Sequence, residues 1–356
     1  MRTGIATFGL DYGRCPPWLF AKMKRLARLI TEAIVYQFGP GEFLKRLSDP
    51  FFFQSFGSLL AFDWDASGLT TTTTAALKEA LKGTEKTLGL FVAGGKGKTF
   101  LKTPRELEDF GQQHSFNSQP LIYASKMAAK VDNSALQDGF ALYHHSFIFT
   151  KDGGWTIIQQ GMNTRFRRAR RYHWHSGKLK NFVEEPHVGI SDSQVSNKVL
   201  NLVSKKSRQT RKTSAKLVSE GFSALKKNLK VLDYVDQPFD KKRLARSLAL
   251  ASDYSPQNFE SLLAIRGVGP KTIRALSLIS EIVYGAKPSY RDPARYAYAH
   301  GGKDGIPYPV DRKTYDTSIS VLEKAVKRAK LGHYERLRAL KKLQNKGYRQ
   351  MSFQRV

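Results

Sequence analysis

The residues best placed for chemistry lie in the run Arg266-Gly267-Val268-Gly269-Pro270-Lys271-Thr272. Two glycines admit backbone torsions that bulkier residues resist, and they remove side chains from the path of an approaching anion. Pro270 suits the first position of a helix, whose leading N–H groups then point at that anion. Lys271 and Arg274 add positive charge, and Val268 between the glycines is expected to turn inward and staple two helices. Arg266, Gly267, Val268, Gly269, Thr272 and Arg274 are therefore the expected contacts to a nucleic-acid backbone. A Gly-rich turn used only for packing would leave Lys271 and the surrounding charge unexplained.

Further constellations carry weaker signals. From Pro288 to Pro309, Tyr290, Tyr296, Tyr298 and Tyr308 interleave with Arg291, Arg295, His300 and Lys303. Aromatics and cations together suit a flipped base or an unpaired strand, and they equally suit a surface loop whose tyrosines pack on neighbouring helices. Arg165, Arg167, Arg168, Arg170 and Arg171 form a run that extends to Lys180 with no acid in it. That run reads as a nucleic-acid contact strip, against the alternative of a solvated charged face. Asp63, Asp138, His144 and His145 could supply a divalent-metal nuclease site, against the alternative of a structural or base-reading polar network. His144 and His145 are chain neighbours, so on a strand they face opposite sides and only one could serve. Gly94-Gly95-Lys96-Gly97-Lys98-Thr99 lacks the spacing of an ATP-binding phosphate loop.

The elements that must position these groups can be read from periodicity. Helices are expected from Pro16-Pro17 through Ile34, over Glu42–Leu47, and up to Leu81 after the Ser/Thr run that starts near Asp65. Thr87–Val92 reads as a strand, followed by a tight Gly-Lys loop and helical stretches near 103–114 and 121–134. Leu142–Thr150 and Trp155–Met162 read as a β-hairpin turned by Lys151-Asp152-Gly153-Gly154. From Ser191 on the pattern is helical, with Asp240–Leu250, a helix opened by Ser255 and Pro256, the helix after Pro270, and one from about Arg312 to Leu331. The expected fold is an α+β N-terminal domain over residues 1–190 and an all-α helix-hairpin-helix domain over residues 191–356.

Composition narrows the partner. The 356 residues hold 59 Lys and Arg against 30 Asp and Glu, a formal net charge of +29. That excess is self-repulsive, and a polyanion relieves it. A single cysteine, Cys15, cannot form an internal disulfide, which fits a reducing compartment. The N-terminal residues lack the pattern of a signal peptide, and no apolar run is long enough to span a membrane.

Two resemblances add to this. Leu262–Leu278 resembles the helix-hairpin-helix of endonuclease III-type DNA glycosylases. The resemblance implies that Lys271 is the amine nucleophile of those members that also nick DNA, and that Asp311, in Val310-Asp311-Arg312-Lys313, is the second catalytic residue. A lysine amine can attack the sugar, and a carboxylate can stabilise the cationic sugar formed as the base departs. Read from the residues alone, the pair equally suits a phosphate-contacting lysine and a helix N-cap. They stand 40 residues apart, and Arg312 holds the place of the family's Thr. The whole chain also resembles the prokaryotic family known as domain of unknown function 763. The matching stretches are Arg2–Ala6, Phe62-Asp63-Trp64, Leu142–Ser146, Gln159–Asn163 and His300–Gly305.

The function expected from all this is DNA binding, as a DNA-repair glycosylase able also to act as an AP lyase. The alternatives are a metal-dependent, structure-specific nuclease with its site in the N-terminal domain, and a non-enzymatic DNA-binding protein. DNA is the expected partner, with no membrane and no obligate protein partner. No cofactor is expected, except a divalent metal under the nuclease alternative. The expected location is the cytoplasm, at the nucleoid.

Overall fold

A computed structural model describes residues 10, 15–60, 66–194, 196, 199–235 and 239–294, and five helical positions between 317 and 327. Among the described residues the first helices are α1 (Pro17–Phe38), α2 (Pro40–Ser48), α3 (Pro50–Leu59) and α4 (Ala66–Leu81). Prolines stand at the starts of α1 to α3, where the missing N–H costs nothing. Asp49 caps α3 by accepting from Phe51 and Phe52 N–H at 2.8 and 2.9 Å. One helical turn, α5 (Glu85–Leu88), then leads into β1 (Phe91–Lys96). The strand expected over Thr87–Val92 thus begins four residues later. Gly94 to Lys96, expected in a loop, belong to it. Gly94 is required by proximity, because a Cβ there would lie 2.1 Å from the His145 carbonyl oxygen.

Helices α6 (Thr103–His114) and α7 (Gln119–Lys130) follow, then β2 (Leu136–Gln137), β3 (Ala141–Phe149), β4 (Trp155–Asn163), β5 (Arg168–His175), β6 (Gly189–Ser191) and β7 (Leu200–Asn201). Strand order is β1-β3-β4-β5-β6, antiparallel throughout, with β2 and β7 paired separately. The segment after Ser191, expected to be helical at once, first completes β6 and β7. Helices α8 (Arg208–Ser219), α9 (Phe222–Asn228), α10 (Lys241–Asp253), α11 (Phe259–Ala264) and α12 (Pro270–Tyr284) complete the described part. Asn258, not Ser255, caps α11: it accepts from Ser261 N–H at 2.9 Å, and the Ser261 hydroxyl accepts in return from Asn258 N–H. Thr317, Ser320, Val321, Lys324 and Lys327 are helical positions in the stretch expected as a helix from Arg312.

The sheet is covered on both faces. Phe91, Ala93, Phe147, Phe149, Trp155, Ile157, Tyr172 and Trp174 point to one side and pack with α6, α7 and residues of α8 to α12 in one continuous hydrophobic cluster. That cluster runs across residue 190. Val92, Ile148 and Ile158 point the other way, into a second cluster built by α1 to α4 and joined by Val321. The period-2 alternation of a strand sorts these side chains.

Burial of both faces also traps polar residues. His144 and His145 point into opposite helical layers. His144 Nε2 lies 3.0 Å from Thr74 Oγ1, and His145 Nε2 lies 2.9 Å from Ser125 Oγ. Burial pushes the His144 imidazole down to about 3 and that of His145 to about 4, so both stay neutral near pH 7. The unfolded chain takes up these protons near pH 6.5, whereas the fold refuses them until the lower values. Stability is therefore whole above about pH 6.5 and falls as pH drops through about 6 to 4. Denaturant midpoints measured between pH 8 and 4 should follow that course. His144→Asn should flatten the slope over the window by the uptake of about one proton. An unchanged slope in that variant would contradict this.

Candidate nucleic-acid interface

The turn between α11 and α12 is built from backbone bonds and one distant lysine. Val268 N–H donates to the Ile265 carbonyl at 3.2 Å, and Gly269 opens α12 by accepting from Ile273 N–H at 3.0 Å. Gly267 holds φ at +93°, the left-handed region that disfavours side chains. A Cβ on Gly269, by contrast, would have no neighbour within 4 Å. Val268 is buried beneath the turn, while Arg266, Gly267 and Lys271 are exposed. Lys130, at the end of α7, donates from Nζ to the carbonyls of Ile265 at 3.0 Å and Val268 at 2.6 Å. Its ammonium thus ties down the turn's oxygens, while Gly269 provides no side-chain cap for the leading N–H groups of the 15-residue α12. Leu250 of α10 lies 3.5 Å from where a Gly267 Cβ would be, and exposed Arg246 precedes it by one helical turn. Lys130 and Arg246 were not legible as parts of this site, since α7 and α10 meet the turn only in three dimensions.

Several expected contacts fall elsewhere. Thr272 is buried and does not reach the surface. Arg274 is half-buried, with Nη1 3.4 Å from Gln137 Oε1, and the Gln137 amide donates to the Pro270 carbonyl at 2.8 Å. Tyr290 is exposed, and its hydroxyl donates to Glu281 on α12. Asp311, Tyr296, Tyr298, His300, Tyr308 and Asp63 lie outside the described residues.

The arginine run divides. Arg165 and Arg167 are exposed at the β4–β5 turn, but Arg170 and Arg171 are completely buried on opposite faces of β5. These two are corrected from contact strip to interior. Arg170 meets three carboxylates: Nη1 lies 3.0 Å from Asp138, and Nη2 lies 2.8 Å from both Asp192 and Asp292. Its guanidinium also lies 4.6 Å from the Phe140 ring centroid. Burial opposes its charge, but Asp138, Asp192, Tyr172 and Asp292 outweigh that and hold its proton more firmly than usual. Arg168, half-buried, shares Asp192. Arg171 donates to Thr70 Oγ1 and to His173 Nε2, both at 2.9 Å.

The same contacts remove Asp138 from any metal site, since it also accepts from the Tyr172 hydroxyl at 2.8 Å. Asp138, His144 and His145 do not converge. Among the described residues no group of three His, Cys, Asp or Glu could hold a metal ion, and no helix is long and apolar enough to cross a membrane.

A family model described as protein of unknown function (DUF763) matches residues 4–310. No curated protein and no solved structure matches the chain.

Removing one partner of a buried ion cluster strands the others in low dielectric, at a cost of about 3–5 kcal/mol. Arg170→Ala should show a loss of that size in chemical denaturation. A surface arginine would give less than about 0.5 kcal/mol, which would refute the interior role.

Proposed function

The chain belongs to the DUF763 family, and we propose that it binds DNA through the α11–α12 turn, gripping the phosphate backbone without reading sequence. The observation that carries this is the turn's construction: an open Gly269, exposed Arg266 and Lys271, a long helix beginning at the turn, and Lys130 holding the carbonyls back. The sequence resemblance of Leu262–Leu278 to the helix-hairpin-helix of endonuclease III-type glycosylases supports this reading. Backbone contacts fix position and carry no base information, and each neutralised phosphate releases counterions. The formal charge of +29 supplies the long-range attraction. Affinity for unrelated duplexes should therefore be alike, and should fall steeply as salt rises. Gly269→Val, whose added Cβ meets no neighbour within 4 Å, should weaken binding about tenfold or more, a loss of at least ~1.4 kcal/mol, and should lower folding stability by less than that, the loss expected where valine replaces glycine at the N-cap of α12. A flat salt response, strong preference for one sequence, or full affinity in a folded Gly269→Val protein would overturn the reading.

The exposed amine of Lys271 on the first turn of α12 favours one chemical extension, glycosylase and AP-lyase activity. The amine would attack the sugar C1′ of a flipped, damaged nucleotide, displace the base and leave an imine, after which β-elimination cuts the strand. Borohydride should then trap a covalent complex on lesion-containing or abasic oligonucleotides, and Lys271→Gln should abolish trapping while retaining most of the binding. Trapping that persists in Lys271→Gln would assign the amine elsewhere. No trapping by the wild-type protein on any such substrate would leave a backbone-binding protein without this chemistry.

A further inference from the structure

Phe166 is a large apolar side chain left 63 % exposed at the tip of the β4–β5 turn, between exposed Arg165 and Arg167. The tip is held firmly. Phe166 N–H donates to Asn163 Oδ1 at 3.1 Å, and Asn163 Nδ2 donates to the Gly139 carbonyl at 3.0 Å. Arg167 adopts a left-handed φ of +50°, uncommon for a non-glycine residue, and its carbonyl accepts from Leu10 N–H at 3.0 Å. The Arg165 guanidinium lies 5.5 Å from the Phe166 ring centroid and braces the ring.

The tip is also linked to the α11–α12 turn through the segment Gln137–Gly139. Asn163 is bonded to Gly139, and Gln137, two residues earlier, is bonded to Pro270 at the start of α12. At roughly 3.5 Å per residue this chain of links keeps the tip within about 40 Å of the turn, a reach that little more than one turn of B-form duplex, about 34 Å, would cover. We propose that Phe166 is a wedge that enters a base step of the DNA held by the α11–α12 turn, while Arg165 and Arg167 take the flanking phosphates. This rests on the DNA-binding reading and adds a substrate class: duplex that unstacks readily, such as a mismatch or a flexible pyrimidine–purine step. Apolar wedges flanked by cations unstack such steps, whereas a well-stacked duplex resists them. The paired arginines favour a polyanion over an apolar protein surface as the occupant.

The test uses the full chain and two duplexes carrying 2-aminopurine, one fully paired and one with a single mismatch beside the probe. Wild type should bind the mismatched duplex about tenfold more tightly and raise its fluorescence severalfold. Phe166→Ala should bind both duplexes within about threefold of each other without the fluorescence rise, and Phe166→Leu should keep part of both effects. Arg165→Ala with Arg167→Ala should lower the slope of log affinity against log salt by about two. A fluorescence rise and mismatch preference retained in Phe166→Ala, with Gly269→Val still defective, would overturn the wedge and leave the turn's role standing. Absence of duplex binding by the wild type would overturn both.

Discussion

Removing a guanidinium from water costs several kilocalories per mole, and Arg170 recovers that cost only where three carboxylates and an aromatic face surround it. Asp138 comes from the segment before β3, Asp192 from just beyond β6, and Asp292 from the chain after α12. One buried cation thus draws together parts of the chain that share no local interaction. Asp292 also accepts from Ser196 N–H at 2.6 Å and Ala294 N–H at 2.9 Å, so the segment beyond α12 is fixed against the sheet by the same carboxylate. The orientation of α12, and with it that of the turn, follows from this anchoring and from the cluster that the helices share with β3, β4 and β5.

The two basic features on the surface inherit their placement from that interior. Lys130 stands at the end of α7, which packs on the sheet, and reaches the turn between α11 and α12. Gln137 in β2 touches the start of α12, and Gly139 touches the β4–β5 tip. The segment from Lys130 to Phe140 therefore acts as a ruler between the α11–α12 turn and the exposed Phe166. Its own rigidity comes from Asp132, which accepts from Gln159 Nε2, from Trp174 Nε1 at 2.9 Å and from His187.

Much of the helical framework was legible in the sequence. The β3–β4 hairpin was read from its alternation and its Asp-Gly-Gly turn, and α12 from Pro270 and its apolar spacing. Strand β5 was not, because Arg170 and Arg171 stand where an apolar pattern is expected. Tyr172 and Trp174 on one face and His173 on the other do alternate, but charge at two adjacent positions hides the period. The partners that make those arginines tolerable lie up to 122 residues away, beyond the reach of any window. The start of α11 was misplaced for a local reason: Ser255 followed by Pro256 is a good helix opener, yet the reciprocal Asn258–Ser261 cap three residues on prevails. In the turn itself the residue types were informative, since Gly-Val-Gly constrains its own backbone. The counterparts from α7 and α10 were hidden, as was the interior position of Thr272.

The separation between Arg170 and Asp292 also has a consequence during synthesis. Ribosomes add about 5–20 residues per second, so these 122 residues take roughly 6 to 24 s to appear. Over that interval β3, β4 and β5 can pair, but the guanidinium has at most two of its three carboxylates, and the helices that cover that face of the sheet are incomplete. A nascent chain of this kind exposes a half-built, aromatic-rich sheet face for seconds, the condition in which chaperone capture competes with premature association.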